Sequence, residues 1–184
     1  MVIWYFLKVI GKKIYLRHFV KEDGEQLFWW SKKTVYFEKA RFTQYKDLSA
    51  AKHGATLLAQ RKNSFAICSH DNDKVIGMIE LYERGASENL LNTCEVGFLL
   101  DEKYWHQGLM KEALQLVCQY AFNDLGMKEI WAGVFQDNDA SIHLLGKMGF
   151  EYIYQVKYPD IFSPENKNEN YYLLRPGNCK FVRS

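Results

Sequence analysis

Residues 93–125 constrain the fold of this chain more than any other stretch. They open with an apolar run, residues 94–100, that is typical of a buried strand. A short turn that contains Gly108 follows, and apolar residues then recur between Leu109 and Ala121 at the spacing of one helical face. The stretch therefore predicts a strand, a glycine-bearing turn and an amphipathic helix in succession.

The start of this helix is suited to binding an anion. The first-turn N–H groups of a helix have no internal partners, and the helix dipole adds partial positive charge there. No Ser, Thr, Asp or Asn stands between Tyr104 and Lys111 to cap these groups. The spacing alone leaves two interpretations, either that a ligand phosphate binds the N–H groups or that water caps an ordinary helix.

Two sequence blocks resemble the GNAT family of N-acetyltransferases. Residues 104–113, YWHQGLMKEA, resemble the acetyl-CoA pyrophosphate loop of the Rim-like branch, which acetylates ribosomal proteins. Residues 130–150 resemble the strand, the Asn-x-x-Ser helix and the Gly-Phe ending of the family. The resemblance extends from about Ile14 to Leu174 and implies an α/β GNAT fold, in which helices flank a mixed, mainly antiparallel sheet.

The length of the chain indicates one domain. Because 184 residues that are 48% hydrophobic can bury one core, residues 1–184 are predicted to form a single acetyltransferase domain. Residues 2–10 precede the first strand of the family and are predicted as an extra strand, which either pairs at the sheet edge or supports a homodimer. This segment is too short to span a bilayer and lacks the basic region of a signal peptide.

Charge and cysteine usage exclude several other classes of protein. The net charge of +2 and the lack of a Lys/Arg cluster argue against nucleic-acid binding. The four cysteines show no CxxC spacing and the five histidines no zinc-ligand spacing, so no metal site is predicted. We therefore expect a cytoplasmic protein with reduced cysteines and no membrane partner.

The resemblance implies acetyl-CoA as the cosubstrate and assigns residues to it. The pantetheine arm would pair with strand residues 95–100, meeting the backbone N–H of Phe98 or Leu100, and Asn138 would contact the same arm. The pyrophosphate would be surrounded by Gln107, Gly108, Leu109, Met110 and Lys111. His106 and Met110 are larger than the residues usual in the family at these positions.

The resemblance also implies catalytic roles for a serine and a glutamate. Ser141 matches the serine with which the Rim-like branch protonates the departing thiolate, whereas Leu145 stands where many GNAT enzymes have a tyrosine. Glu95 would be the general base for the amine, and Glu80 and Glu83 are rival bases or substrate anchors. The alternatives are a helix-start hydroxyl bonded to backbone for Ser141 and a strand-end charge for Glu95.

The acceptor site is predicted in the first half of the chain. Residues 22–31 and 47–61 are predicted helices, and residues 32–45 are predicted as an irregular aromatic loop between them. In the GNAT architecture these elements wall the acceptor site, so the candidate substrate contacts are Tyr36, Phe37 and Glu80. The alternative interpretation of the aromatic residues is core packing.

These observations together predict transfer of an acetyl group from acetyl-CoA to a primary amine. The Rim-like branch implies a protein N-terminal α-amine, although that branch also contains enzymes for small amines, amino acids and antibiotics. Two further hypotheses stay open. The first is a catalytically silent acyl-CoA-binding module, which the altered loop residues favour. The second is an interaction domain without a cofactor.

Overall fold

The computed structural model describes residues 8–85, 90–157 and 168–181. Of the predicted N-terminal strand, residues 2–7 lie outside the described residues, and the remainder contributes the short strand β1. The strands are β1 (Val9–Ile10), β2 (Ile14–Arg17), β3 (Ser64–Ser69), β4 (Val75–Glu83), β5 (Thr93–Leu100), β6 (Glu129–Phe135), β7 (Glu151–Val156) and β8 (Glu169–Leu174). The α-helices are α1 (Gly24–Ser31), α2 (Thr34–Ala40), α3 (Leu48–Ala59), α4 (Leu109–Asn123) and α5 (Asp139–Met148).

The strands form a mixed sheet in the order β1-β2-β3-β4-β5-β6-β8-β7. Strands β5 and β6 are parallel, whereas β1–β2, β2–β3, β3–β4, β6–β8 and β7–β8 pair antiparallel. The predicted α/β architecture, a mainly antiparallel sheet flanked by helices, is therefore confirmed. The chain divides into two compact units, a first unit within Met1–Glu80 and Phe98–Val117 and a second unit within Leu81–Gly97 and Cys118–Ser184.

Burial on both faces of β3 organises the first unit. Every residue of Ser64–Ser69 is buried. Ala66 and Cys68 contribute to a cluster that also holds Trp30 of α1 and Ala55 of α3. The alternate residues on β3 are equally buried, so the strand is covered on both faces, as expected for a strand without a solvent face.

The helix α2 corrects the prediction that residues 32–45 are irregular. The prediction was wrong because Val35, Tyr36 and Phe37 are consecutive rather than spaced by a helical turn, and no side chain caps the helix start. Packing stabilises the helix instead, since Tyr36 is buried and its ring meets that of Trp30 edge-on at 6.5 Å. The helix ends at Arg41, which has a left-handed φ of 49°.

Local sequence signals set the helix ends elsewhere. The Asp47 side chain accepts a 2.7 Å hydrogen bond from the Ala50 N–H and caps α3. In the second unit, Gly149 ends α5 with a φ of 100°, a conformation that glycine adopts without strain. None of the helices in the described parts of the chain has the length and apolarity needed to cross a membrane.

Candidate active site

The turn before α4 lies in the first unit and has an unusual backbone. Gly108 has a φ of 78°, and His106, which is exposed, has a φ of 59°. The Glu112 N–H donates a 3.1 Å hydrogen bond to the Gly108 carbonyl, which is the first helical bond, so the helix starts directly after the glycine. The predicted succession of strand, glycine turn and helix is thus confirmed.

The helix start presents backbone donors to open space. Among the described residues, no acceptor lies within hydrogen-bond distance of the N–H groups of Leu109, Met110 or Lys111. A Cβ built on Gly108 would meet no atom within 4 Å. The Met110 side chain is 8% exposed and therefore lies in the core instead of crowding the turn. The arrangement fits an anionic group such as a pyrophosphate.

The segment that leads into this turn is anchored by a buried carboxylate. Asp101 Oδ2 accepts hydrogen bonds from Trp30 Nε1 and from Gln26 Nε2, each at 3.0 Å. The Trp105 Nε1–H donates to the Leu100 carbonyl at 2.8 Å, and Gln107 Nε2 donates to the Lys103 carbonyl at 3.1 Å. Sequence reasoning missed Asp101, because its role depends on a tryptophan far away in the chain.

The three predicted substrate residues have different environments in the first unit. Phe37 is 53% exposed, whereas Tyr36 is buried and its hydroxyl oxygen accepts a 2.8 Å hydrogen bond from the Glu102 N–H. Burial raises the pKa of Tyr36 to about 12. Glu80 is 4% exposed and forms an ion pair with Arg61 at 3.1 Å, measured from Oε1 to Nη1. Of these side chains, Phe37 is the one that is open to a substrate.

Phe98 and Leu100 belong to the part of β5 that lies in the first unit. The parallel ladder between β5 and β6 ends at the pair Glu95–Trp131, although β5 continues to Leu100. Because alternate residues of a strand point their N–H groups to the same side, those of Phe98 and Leu100 share one direction. Their assignment to the pantetheine arm stays a prediction.

Glu95 lies in the second unit, in a pocket of about 410 Å³. Its side chain is 32% exposed, and Oε2 lies 4.0 Å from Nε of Arg84. Sequence reasoning missed Arg84, whose guanidinium carbon lies 4.2 Å from the centroid of the Trp131 ring. The described residues that line the pocket are Tyr82, Glu83, Arg84, Glu95, Tyr154, Val156 and Tyr171.

Asn138 and Ser141 meet at the start of α5, also in the second unit. Asn138 Oδ1 accepts a 3.2 Å hydrogen bond from the Ser141 N–H and thereby caps the helix. The Ser141 hydroxyl is partly exposed and has no hydrogen-bond partner within the described ranges. Leu145, which stands where many members of the family have a tyrosine, is completely buried.

The described residues lack the side-chain groups that hold metal ions. Residues 8–85, 90–157 and 168–181 contain no group of three His, Cys, Asp or Glu side chains placed to hold a metal ion. The four cysteines are free, and three of them are buried. The features that remain are the open helix start, the pocket around Glu95 and the capped serine.

Comparison with known proteins agrees with this geometry. A family model described as an acetyltransferase (GNAT) domain matches residues 13–151. A Bacillus subtilis protein named "Probable N-acetyltransferase YjcK" is 32% identical over 151 residues, which cover 76% of this chain and 81% of that protein.

Solved structures share the fold at lower sequence identity. A GNAT-family acetyltransferase from Bacillus anthracis superposes with a TM-score of 0.81 at 18% identity, covering 92% of this chain and 98% of that one. The ribosomal-protein-S5-alanine acetyltransferase from Vibrio fischeri superposes with a TM-score of 0.72 at 16% identity, covering 96% and 100%. The family model spans most of the sequence, and a relative above 30% identity is matched over most of its length. The chain therefore belongs to the GNAT family of acetyltransferases.

Proposed function

We propose that the protein transfers the acetyl group of acetyl-CoA to a primary α-amine. The observation that carries this proposal is the open turn at Gly108, which is followed at the start of α4 by three N–H groups without a partner among the described residues. These donors and the helix dipole suit the pyrophosphate of a CoA ester. When bound, acetyl-CoA supplies the acetyl group as an activated thioester.

Glu95 is the proposed general base. An amine with the pKa of an N-terminus or a lysine is largely present as the ammonium ion at neutral pH, so it must lose a proton before it can attack the thioester. Glu95 has a partly exposed carboxylate in a pocket, where an amine can reach it. Glu83 lines the same pocket and is the rival base. The ion pair between Glu80 and Arg61 makes Glu80 a weaker candidate for the base.

Ser141 is the proposed proton donor. Its Oγ holds a proton that can pass to a departing thiolate, and no described residue competes for that hydroxyl. Asn138 fixes the first turn of α5 and thereby the position of Ser141. The N–H groups of Phe98 and Leu100 are proposed to bind the arm of the cosubstrate and the oxygen of the reacting carbonyl.

The acceptor that the sequence favours is a protein N-terminal α-amine, as in the Rim-like branch. The fold neighbour from Vibrio fischeri carries the name of a ribosomal-protein acetyltransferase, and Phe37 offers an exposed aromatic contact. Tyr36 would support this contact from the core. Free cysteines are consistent with a reducing cytoplasm, where such acceptors occur.

The test is a calorimetric titration of acetyl-CoA into the wild type and Gly108→Glu. The variant places a carboxylate in the turn, so we expect binding to weaken by at least about a hundredfold. Gly126→Glu is the matched control, because Gly126 also has a positive φ, 68°, and also has no atom within 4 Å of an added Cβ. The control introduces the same charge and the same strain outside the turn.

Each outcome of the titration is informative. Binding that is lost in Gly108→Glu and kept in Gly126→Glu supports the proposed cosubstrate site. Absence of binding by the wild type contradicts the proposal and favours an interaction domain without a cofactor. Tight binding of acetyl-CoA, with no release of the CoA thiol when any amine is added, would identify a silent acyl-CoA-binding module.

A further inference from the structure

The pocket around Glu95 contains an arginine that the proposed chemistry does not use. The Arg84 side chain is only 20% exposed, and Arg84 lines the pocket together with Glu95 and Glu83. A site that takes a proton from an ammonium group needs a carboxylate, but it does not need an arginine in addition. The position of Arg84 therefore calls for a separate explanation.

The N–H donors of Arg84 make no hydrogen bond to the residues that the structure describes. Its contact with Glu95 is 4.0 Å long, which is beyond hydrogen-bond distance, and no N–H of Arg84 donates to any described residue. A guanidinium group carries five N–H donors in a planar fork that matches a carboxylate. A half-buried fork of this kind is costly to leave without an acceptor, and a ligand carboxylate would supply one.

The orientation of Arg84 is fixed by an aromatic ring. Its guanidinium carbon lies 4.2 Å from the centroid of the Trp131 ring, a cation–π contact that does not use the N–H donors as hydrogen-bond donors. The ring itself is held, because Trp131 Nε1 donates to Glu129 Oε2 at 3.2 Å and Glu129 Oε1 accepts from Arg175 Nη2 at 2.8 Å. Preorganisation of this kind lowers the entropic cost of binding an anion.

The charges of the pocket select the type of anion. Arg84 stands beside Glu95, so the pocket offers one positive and one negative group close together, and Glu83 adds a further negative charge. A doubly charged phosphate would be repelled by the two carboxylates, whereas a zwitterion satisfies both signs. An α-amino acid carries its ammonium and its carboxylate on a single carbon and presents the same pair of charges at short range.

We propose that Arg84 binds the carboxylate of a free α-amino acid while Glu95 receives its ammonium group, so that Arg84 determines acceptor specificity. This inference rests on the proposed acetyl transfer to an α-amine, and it takes a free amino acid in place of a protein N-terminus as the acceptor. Tyr82, Tyr154 and Tyr171 form the walls beside the charges and would contact the amino-acid side chain.

The experiment compares L-amino acids with small, charged and aromatic side chains, each with its amide and its decarboxylated amine. Acetylation is followed by thiol release from acetyl-CoA, and binding of each compound without acetyl-CoA is measured by calorimetry. We expect the free acids to have a kcat/KM at least about tenfold above that of their amides, since a charge-assisted hydrogen bond is lost in the amide.

Variants of Arg84 test whether this residue causes the preference for free acids over amides. Arg84→Gln should lower kcat/KM for free acids at least about tenfold, mainly through KM, and leave the decarboxylated amines nearly unchanged. Arg84→Lys should recover part of the preference, because a lysine supplies the charge without the fork. Lys74→Gln removes an exposed positive charge from the β3–β4 turn and should change neither class.

The binding arm separates this inference from the proposed function. Arg84-dependent binding of free amino acids without turnover would support the inference and contradict the enzymatic proposal. Turnover of amides or peptides at rates equal to or above those of the free acids would overturn the inference and indicate a peptide N-terminus. Equal losses for acids and amines in Arg84→Gln, or no binding of any amino acid, would also overturn it.

Discussion

The Lys13 N–H donates a 2.9 Å hydrogen bond to Glu112 Oε1, which ties the β1–β2 turn to the first turn of α4. A Cβ added at Gly11 would overlap the same oxygen. We expect Glu112→Ala to lower the free energy of unfolding by about 1 kcal/mol, because an acceptor and a first-turn negative charge are both lost. Denaturant titration measures this change.

A double-mutant cycle tests whether Gly11 and Glu112 are energetically coupled. Gly11→Ala should destabilise the wild type by more than it destabilises Glu112→Ala, since the overlapping oxygen is gone in the second background. Glu112→Gln retains the oxygen acceptor and should cost less than Glu112→Ala. Additive effects of Gly11→Ala and Glu112→Ala would show that the two residues are not coupled.

Asp101 should contribute more to the stability of the first unit than its exposed neighbour Glu102 does. Asp101→Ala leaves the indole N–H of Trp30, which is completely buried, without its acceptor, and we expect a loss of about 2–4 kcal/mol of stability. Glu102→Ala removes the neighbouring, exposed carboxylate and should cost below about 1 kcal/mol. Thermal and denaturant unfolding of both variants checks the difference. A cost for Asp101→Ala as small as that for Glu102→Ala would contradict the anchoring role.

His106 carries backbone strain that a glycine would relieve. Its φ of 59° lies in the left-handed region, which costs a side-chain-bearing residue roughly 1–2 kcal/mol. His106→Gly should therefore stabilise the protein by about 0.5–1 kcal/mol after the entropic cost of glycine is subtracted. His143→Gly, at an exposed position in α5, should instead destabilise it by about 1 kcal/mol. Opposite signs in the two variants are the expected result of denaturant titration.

Alkaline pH should destabilise the first unit through its buried tyrosines. The pKa of Tyr36 is raised to about 12 by burial, and that of Tyr15 is also raised to about 12 by burial and by its hydrogen bond to Asp73. The unfolded value is near 10. Folding therefore favours the neutral phenols, and their contribution is fully present below pH 10 and is lost between pH 10 and 12.

The measurement is the free energy of unfolding as a function of pH. Between pH 10 and 12, the free energy of unfolding should fall by roughly 2–3 kcal/mol less in Tyr36→Phe than in the wild type, whatever the effect of the substitution at neutral pH. Tyr152→Phe, at a tyrosine that is 56% exposed, is the control and should leave the slope as it is in the wild type. Identical slopes for the wild type and Tyr36→Phe would contradict the raised pKa.

Local signals allowed much of the fold to be predicted from the sequence, and long-range contacts account for what was missed. The cap at Asp47 and the helix start after Gly108 are properties of a few adjacent residues, so they can be read from the sequence. The cation–π contact of Arg84 depends on the ring of Trp131 in β6, and the hydrogen bond of Asp101 depends on Trp30. Neither pairing has a spacing that a sequence pattern could reveal.

The burial of predicted site residues was equally inaccessible. Tyr36 was predicted in an irregular loop because its apolar neighbours are consecutive, yet tertiary packing folds the segment into α2 and buries the ring. Glu80 was predicted as a substrate contact, and its ion pair with Arg61 follows from the turn between α3 and β3. For Ser141, the cap by Asn138 was predictable from the spacing of three residues.

Loss of the proposed base and loss of the proposed acid should differ in how the fall in kcat depends on pH. Glu95→Gln removes the proton acceptor and should lower kcat about 10²–10⁴-fold at neutral pH, with partial recovery at high pH, where the amine is already neutral. Ser141→Ala should lower kcat about 10–10²-fold without recovery at high pH, because the departing thiolate still lacks its donor. Both variants should bind acetyl-CoA with nearly the affinity of the wild type. His143→Ala, exposed on the same helix, is the control for Ser141 and should retain full activity. Wild-type rates in both Glu95→Gln and Ser141→Ala would remove these residues from the mechanism and leave Glu83 as the base to be tested next.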